Sequence, residues 1–71
     1  MIPDDEFIIM NSEYIHDSTG AIYTVIDTID DFKADGIWWG RSIIYRQFKT
    51  TGVRYGRVEA DFRQKFTGKN T

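Results

Sequence analysis

The feature of this chain that most constrains its fold is a run of β-branched side chains near its middle. Residues 21 to 29 read A-I-Y-T-V-I-D-T-I, and six of these nine positions carry Ile, Val or Thr. Branching at Cβ lowers helix propensity and suits the pleated surface of a sheet. A second run, residues 37 to 48, has neither proline nor a helical stripe of apolar positions. Both runs therefore predict β-strands, the second one bent at Gly40, where a bulge or a barrel corner fits.

Turn-forming residues divide the rest of the chain into short pieces. D-S-T-G at residues 17 to 20 and K-T-T-G at residues 49 to 52 predict two turns. Short strands are predicted at residues 7 to 10, 14 to 16 and 53 to 58, and the acidic stretch 30 to 36 is interpreted as a loop or a single helical turn. Phe62 and Phe66 are four residues apart, which predicts a helical turn near the C-terminus.

Four or five short strands in a chain of 71 residues predict a mainly β fold. We expect a small SH3-like or OB-like barrel of bent sheet with a short C-terminal helical turn. Residues 1 to 66 are assigned to this single domain, and residues 67 to 71 to a flexible tail. The alternative is an α+β domain in which residues 59 to 67 form a longer helix on an open antiparallel sheet.

The order of several short motifs resembles a family of small uncharacterised bacterial and phage domains. The motifs are Tyr14-x-His16, Gly20, Tyr23-x-Val25, Ile43-Ile44-Tyr45-Arg46, Arg57 and Phe62. Domains of that family typically read Tyr-x-His, Gly, Tyr-x-Val, Val-Val-Tyr, Trp-x-Arg-Pro and Phe, and the likeness covers residues 14 to 66. The chain departs from the pattern at residues 55 to 58, Y-G-R-V, and its W-W pair has no counterpart. The resemblance implies an SH3-like barrel and a structural His16, and it implies no activity.

The sequence contains no recognisable catalytic or metal-binding constellation. Cysteine is absent, which excludes thiolate metal sites and a Cys nucleophile. The single histidine, His16, lies beside Asp17, but no further group completes a zinc site or a catalytic pair. The acids between residues 27 and 35 lack the spacing of a calcium loop and are interpreted as solvated. We therefore predict a protein that is not an enzyme and holds no metal ion and no cofactor.

The beginning of the chain and its apolar runs predict a cytoplasmic protein that does not contact a membrane. Residues 1 to 10 carry three acids before the first apolar run, whereas a secretory signal begins with basic residues. The apolar runs are far shorter than the ~20 residues that a transmembrane helix needs.

Charge is distributed unevenly along the chain. Residues 1 to 36 hold nine acids and one base, a net of −8, whereas residues 37 to 71 hold eight bases and two acids, a net of +6. This asymmetry indicates either two oppositely charged faces that attract different partners, or acidic and basic strands that pair within the molecule. The sequence leaves both interpretations open.

Aromatic and arginine residues form the best candidate for a binding surface, because Trp, Tyr and Arg concentrate the free energy of protein interfaces. Trp38 and Trp39 are adjacent, so on a strand one indole can enter the core while the other stays outside. The outer indole either binds a partner, or covers a barrel end or stacks on an arginine as a cation–π pair. The predicted partner-binding residues are Trp38, Trp39, Arg41, Tyr45, Arg46, Arg54, Tyr55 and Arg57.

Two hypotheses for function follow. The preferred one is a protein-binding module, an accessory protein of a bacterium or phage that modulates a host factor. The alternative is a barrel that binds single- or double-stranded nucleic acid through the basic C-terminal half, since bases stack on aromatic rings while cations contact phosphates. A pI near 5.1 opposes the alternative unless the acidic residues face away from the nucleic acid.

Overall fold

A computed structural model of the chain describes residues 1 to 50 and 52 to 69. Its elements, in chain order, are β1 (Glu13–His16), β2 (Ile22–Ala34), β3 (Ile37–Gln47), β4 (Tyr55–Val58), α1 (Glu59–Lys65) and β5 (Phe66–Gly68). The five strands pair antiparallel in one sheet with the order β4-β3-β2-β1-β5. The predicted mainly β fold with a short helix near the C-terminus is therefore confirmed.

The sheet is open, because β4 and β5 form its two edges and the predicted barrel is not closed by strand pairing. Helix α1 connects these edges and packs against β3, β4 and β5. Its acidic first turn and basic last turn match the helix dipole. The chain leaves the helix at Phe66, so the longer helix of the α+β alternative is not formed. Residues 67 and 68 of the predicted tail belong to β5, and residues 70 and 71 lie outside the described residues.

The core is built around two phenylalanine rings from the C-terminal part of the chain. Phe62 and Phe66 are fully buried, and their rings stack with centroids 4.1 Å apart. Buried side chains from the first three strands surround this pair: Tyr14, Val25, Ile43 and Tyr45. The four-residue spacing that predicted the helical turn thus also places both rings on its buried side.

The N-terminal segment covers the core without forming the strand predicted at residues 7 to 10. Ile2 and Ile8 are buried in the core cluster, whereas the intervening residues follow an irregular path. Arg63 of α1 fixes this path, since its Nη1 donates to the carbonyl oxygens of Pro3, at 2.6 Å, and of Glu6, at 2.7 Å. The backbone of the segment is therefore anchored by a side chain distant in sequence, and no strand partner is needed.

The stretch 30 to 36, interpreted above as a loop or helical turn, is instead part of a long hairpin. Strand β2 continues through Ala34, and only Asp35 and Gly36 form the turn, with φ angles of 54° and 75°. Two residues with positive φ make the tight turn that suits the twist of a hairpin, and Asp-Gly is a strong signal for it. The acidic composition of this stretch indicates a loop, but Asp30 and Asp31 lie at exposed strand positions and only Asp35 lies in the turn.

Beyond the body of the sheet, β2 and β3 pair only with each other. Strand β1 pairs with β2 at residues 22 to 24, and β4 pairs with β3 at residues 42 to 45. Residues 30 to 41 therefore form a two-stranded extension, called the arm below. The bend predicted at Gly40 lies in the arm: Gly40 has a φ of 77° and the pairing register shifts next to its partner, Phe32.

Candidate protein-binding surface

The pairing register divides the side chains of β3 between two faces of the sheet. Ile43 and Tyr45 are buried in the core. Because successive side chains of a strand point to opposite faces, Ser42, Ile44 and Arg46 lie on the outer face, away from the core. The same alternation on β4 places Gly56 and Val58 on the outer face. Arg54 comes directly before β4.

The outer face carries a groove of about 660 Å³ that crosses β2, β3 and β4 and continues onto the arm. We call it the outer groove; its lining includes Ile29, Phe32, Trp39, Ile44, Arg54 and Val58. Gly56 lies in the same lining, and a Cβ atom there would come within 3.2 Å of the Ile44 side chain. A mostly apolar concavity of this size is typical of binding sites in proteins.

Ser42 adds a polar atom to the lining of the outer groove. Its side chain is only 3% exposed, and its Oγ has no hydrogen-bond partner within the part of the chain that the structure describes. A buried hydroxyl without a partner destabilises the folded state, because it gives up hydrogen bonds to water on folding.

Replacing Ser42 with alanine is expected to raise the free energy of unfolding by about 1 kcal/mol, because it removes the unpaired hydroxyl and leaves the small volume filled. Urea unfolding followed by circular dichroism measures this change. Ser12→Ala, at a partly buried position where the hydroxyl makes no hydrogen bond to the described residues, serves as the control and is expected to stay within about 0.5 kcal/mol of the wild type. A loss of stability in Ser42→Ala would show that the hydroxyl is satisfied.

The two tryptophans lie on the arm, and neither indole enters the core. Trp38 is 65% exposed and Trp39 is 49% exposed, which corrects the expectation that one of them would be buried. Trp39 lines the outer groove, and its Nε1 donates to the Ala34 carbonyl oxygen at 3.4 Å. Trp38 is absent from that lining and lies under the Lys33 ammonium, which is 5.2 Å from the ring centroid. The adjacent rings are therefore in different surroundings.

Tyr45 and Arg57, both predicted at the surface, take part in a network beneath it. Tyr45 is 4% exposed, and its hydroxyl accepts a hydrogen bond from Arg57 Nε at 2.8 Å. Arg57 Nη1 donates to Asp61 Oδ2 at 2.6 Å and thereby lowers the pKa of the Asp61 carboxyl below its ordinary value. Burial raises the pKa of the Tyr45 phenol. Arg57, on β4, therefore joins β3 through Tyr45 and α1 through Asp61. It is also among the lining residues of the groove.

The other predicted site residues differ in their exposure and in the contacts that they make within the molecule. Tyr55 is partly exposed, lines the outer groove and stacks on Tyr45. Arg41 lies 3.6 Å from a Glu59 carboxylate oxygen. Arg46 and Arg54 have no carboxylate within 4 Å among the residues that the structure describes. Of the predicted residues, Trp39, Arg54, Tyr55 and Arg57 line the outer groove, but the side chains of Tyr55 and Arg57 alternate onto the core face of β4. Trp38, Arg41, Tyr45 and Arg46 lie outside its lining.

Internal ion pairs neutralise only part of the charge asymmetry. The helix acids Glu59 and Asp61 pair with four of the eight bases of the C-terminal half. Within the described residues, only Arg41–Asp30 and Lys69–Glu13 join a base of residues 37 to 71 to an acid of residues 1 to 36. Acidic and basic groups therefore remain at the surface on separate parts of the molecule.

His16 forms part of a turn. Its Nδ1 lies 3.0 Å from the Ser18 hydroxyl and 3.1 Å from the Thr19 hydroxyl, and its ring meets the buried Phe66 edge-on. Across residues 1 to 50 and 52 to 69, no three acidic or histidine side chains come together in a way that holds a metal ion.

Sequence reasoning missed the apolar part of the groove. Ile29, Phe32, Ile44 and Val58 line it, and none of them is among the predicted partner-binding residues. The available signal was the alternation along β3: Ser42, Ile44 and Arg46 alternate with Ile43 and Tyr45, and apolar residues occur in both sets. A strand that is apolar on both sides indicates a contact on each face.

Comparisons with known proteins identify no protein that is similar to this chain. No protein-family model, curated protein or solved structure matches the chain. In the described part of the chain, no helix has the length and apolar character that crossing a bilayer requires.

Proposed function

We propose that this chain is a non-enzymatic protein-binding module and that the outer groove is its contact surface. The observation that carries the proposal is a half-exposed indole, Trp39, in an apolar groove that also presents the guanidinium of Arg54. Tryptophan and arginine beside a concave apolar surface are the groups in which interface free energy concentrates. In water the same groove leaves apolar surface hydrated, and a protein partner would remove that surface from water.

The arm supports the same proposal. A two-stranded ribbon is at best marginally stable in water when nothing packs on it. The arm nevertheless exposes large apolar side chains at Ile37, Trp38 and Trp39. A partner that lies along the outer groove would contact Phe32 and Trp39 and would stabilise the half of the arm nearest the sheet.

The proposal includes an SH3-like architecture and an accessory role. Four consecutive antiparallel strands are followed by a short helix and a last strand that returns to β1, an order compatible with that kind of small barrel. The resemblance of the motifs in residues 14 to 66 to bacterial and phage domains supports the same assignment. In this role the module binds a host protein and changes that protein's activity, and it carries out no chemistry of its own.

Affinity purification with matched tryptophan variants tests the proposal. Tagged wild type and Trp38→Ala are expected to recover the same protein in near-stoichiometric amount from a lysate of the native host, as identified by mass spectrometry. Trp39→Ala is expected to bind that protein about 30-fold more weakly, the effect of truncating a central interface tryptophan. Equal recovery by Trp39→Ala, or no stoichiometric protein with the wild type, would contradict the proposal.

One observation favours nucleic acid as a second candidate ligand. Arg46, Lys49 and Arg54 lie on or beside the β3–β4 connection, and none of them has a carboxylate within 4 Å among the described residues. If they contact phosphates, affinity for a single-stranded oligonucleotide should fall steeply with salt, by a logarithmic slope of ~0.7 for each phosphate contacted. Under the protein-binding proposal, such an oligonucleotide binds weakly and without any dependence on Trp39.

A further inference from the structure

Ser42 lies at the centre of the outer groove. It belongs to β3, the middle one of the three strands that the groove crosses, and its cross-strand neighbours are Ile29 on β2 and Val58 on β4. Both neighbours line the groove and are only partly buried, so their side chains can change rotamer when another group enters. A ligand group that enters between these two side chains therefore reaches the Ser42 hydroxyl.

The Ser42 hydroxyl lacks a hydrogen-bond partner within the described part of the chain. Most buried polar atoms of protein side chains have such a partner. Alanine fills nearly the same volume without the cost of an unpaired hydroxyl, so packing alone does not account for a serine at this position. A hydroxyl that is unpaired in the free protein gains a hydrogen bond when a ligand brings a donor or an acceptor to it.

The apolar lining of the outer groove suits an aromatic side chain. Ile29, Ile44 and Val58 line the groove on the sheet, and the rings of Phe32 and Trp39 line it on the arm. An aromatic ring that enters the groove removes a large apolar area from water and makes ring–ring contacts at the arm.

The charged groups of the lining oppose a charged ligand group at the centre of the groove. Asp27 pairs with Ile44 on one side of β3, and Arg54 lies two residues before Gly56, which pairs with Ile44 on the other side. Neither Asp27 nor Arg54 has an opposite charge within 4 Å among the described residues. The third charged residue, Arg57, already forms an ion pair with a carboxylate of α1. A charged side chain between Asp27 and Arg54 would be repelled by one of them, whereas a neutral side chain is not.

We infer that the partner bound at the outer groove inserts a tyrosine side chain, whose hydroxyl forms a hydrogen bond with Ser42 Oγ. This inference rests on the proposed function of the outer groove. The ring lies between Ile29 and Val58 and contacts Trp39 where the arm begins. Ser42 is thereby a specificity-determining residue of the surface.

Tyrosine is chosen because other side chains match only part of the groove. Phenylalanine leaves the Ser42 hydroxyl unpaired, and arginine, lysine, aspartate and glutamate carry a charge. Asparagine and glutamine bring a whole amide group against apolar walls, where its remaining donors and acceptors are unpaired. Tyrosine has a neutral aromatic body and a single hydroxyl at its far end, which matches an apolar groove with one hydroxyl at its centre.

Two small amides that differ by one hydroxyl test the inference. N-acetyl-tyrosinamide and N-acetyl-phenylalaninamide are titrated into the ¹⁵N-labelled chain, and their affinities are measured from the NMR shifts of the Trp39 indole N–H and the Ser42 amide. The wild type is expected to bind both amides in the millimolar range. It is expected to bind the tyrosine amide about fivefold more tightly, which is the effect of one neutral hydrogen bond.

Replacing Ser42 with alanine is the decisive arm of the experiment. Ser42→Ala is expected to bind the phenylalanine amide like the wild type and to lose the preference for the tyrosine amide. This variant is expected to be more stable than the wild type, so unfolding does not account for the loss. Ser12→Ala, outside the groove lining, is the control and is expected to keep the fivefold preference. A serine with a purely structural role would leave the preference unchanged.

Three results would overturn the inference: no shift of the Trp39 indole with either amide up to ~20 mM, equal affinities of the wild type for the two amides, or a preference that persists in Ser42→Ala. None of these results bears on the capture experiment with Trp39→Ala. If Trp39-dependent capture of a protein persists while the wild type does not distinguish the two amides, the tyrosine is excluded and the proposed function remains.

Discussion

Replacing Phe62 with alanine is expected to lower the free energy of unfolding by about 3 to 5 kcal/mol, because it removes a fully buried ring and leaves a cavity. Phe62 stacks on Phe66 and also packs against Tyr14 and Tyr45, so the cavity opens at the meeting point of α1, β1, β3 and β5. A domain of this length has a total stability of about 4 to 10 kcal/mol. The substitution therefore removes a large part of the stability of the fold.

Urea unfolding followed by circular dichroism measures the effect of Phe62→Ala. Phe7→Ala is the matched control, because it deletes the same ring from a position that is 83% exposed, and its stability is expected within about 0.5 kcal/mol of the wild type. A loss below about 1.5 kcal/mol for Phe62→Ala would mean that the ring is not enclosed as described.

Replacing Arg57 with alanine is expected to lower the free energy of unfolding by about 2 kcal/mol, the second largest effect. The substitution leaves the buried Tyr45 hydroxyl without its donor and removes the contact that joins β4 to α1 through Asp61. Leaving a buried hydroxyl unpaired accounts for about 1 to 3 kcal/mol, and the partly exposed ion pair adds little. Arg54→Ala removes a neighbouring guanidinium without a carboxylate partner among the described residues, and is expected to change stability by less than about 0.5 kcal/mol.

The same contact gives stability a dependence on pH. The hydrogen bond from Arg57 lowers the pKa of Asp61 in the folded state, so its contribution is fully present above the ordinary carboxyl pKa. That contribution is lost as the pH falls through the lowered value. In Arg57→Ala this part of the acid destabilisation should disappear, as thermal unfolding between pH 7 and pH 2 would reveal. An unchanged acid profile would show that Arg57 does not hold the Asp61 carboxylate.

Local sequence signals were sufficient for most of the elements. The β-branched run gave β2, the turn residues at 17 to 20 gave the β1–β2 connection, and the spacing of Phe62 and Phe66 gave the helix. Each of these signals depends on neighbours within a few residues. The end of β2 differs from the prediction because acidic composition favours a loop at residues 30 to 36, whereas the Asp-Gly pair at residues 35 and 36, with positive φ angles, closes the hairpin.

Features that depend on distant residues could not be predicted in this way. The N-terminal segment is irregular because Arg63, about 60 residues away, donates to its carbonyl oxygens. The outer groove depends on the register of three strands, and only that register brings Ile44 beside Val58 and Ile29. Residue type alone selects Trp39 and Arg54, which line the groove, but it also selects Tyr45, which is buried.

Cross-saturation NMR tests most directly whether a protein covers the outer groove. Deuterated, ¹⁵N-labelled chain is mixed with the protonated protein recovered in the capture experiment, and the aliphatic protons of that protein are saturated. We expect intensity losses at the Trp39 indole N–H and at the amides of Ile44 and Val58, with the Trp38 indole and the Phe7 amide unaffected. Losses centred on Trp38 or Phe7, with the groove signals unchanged, would contradict the account.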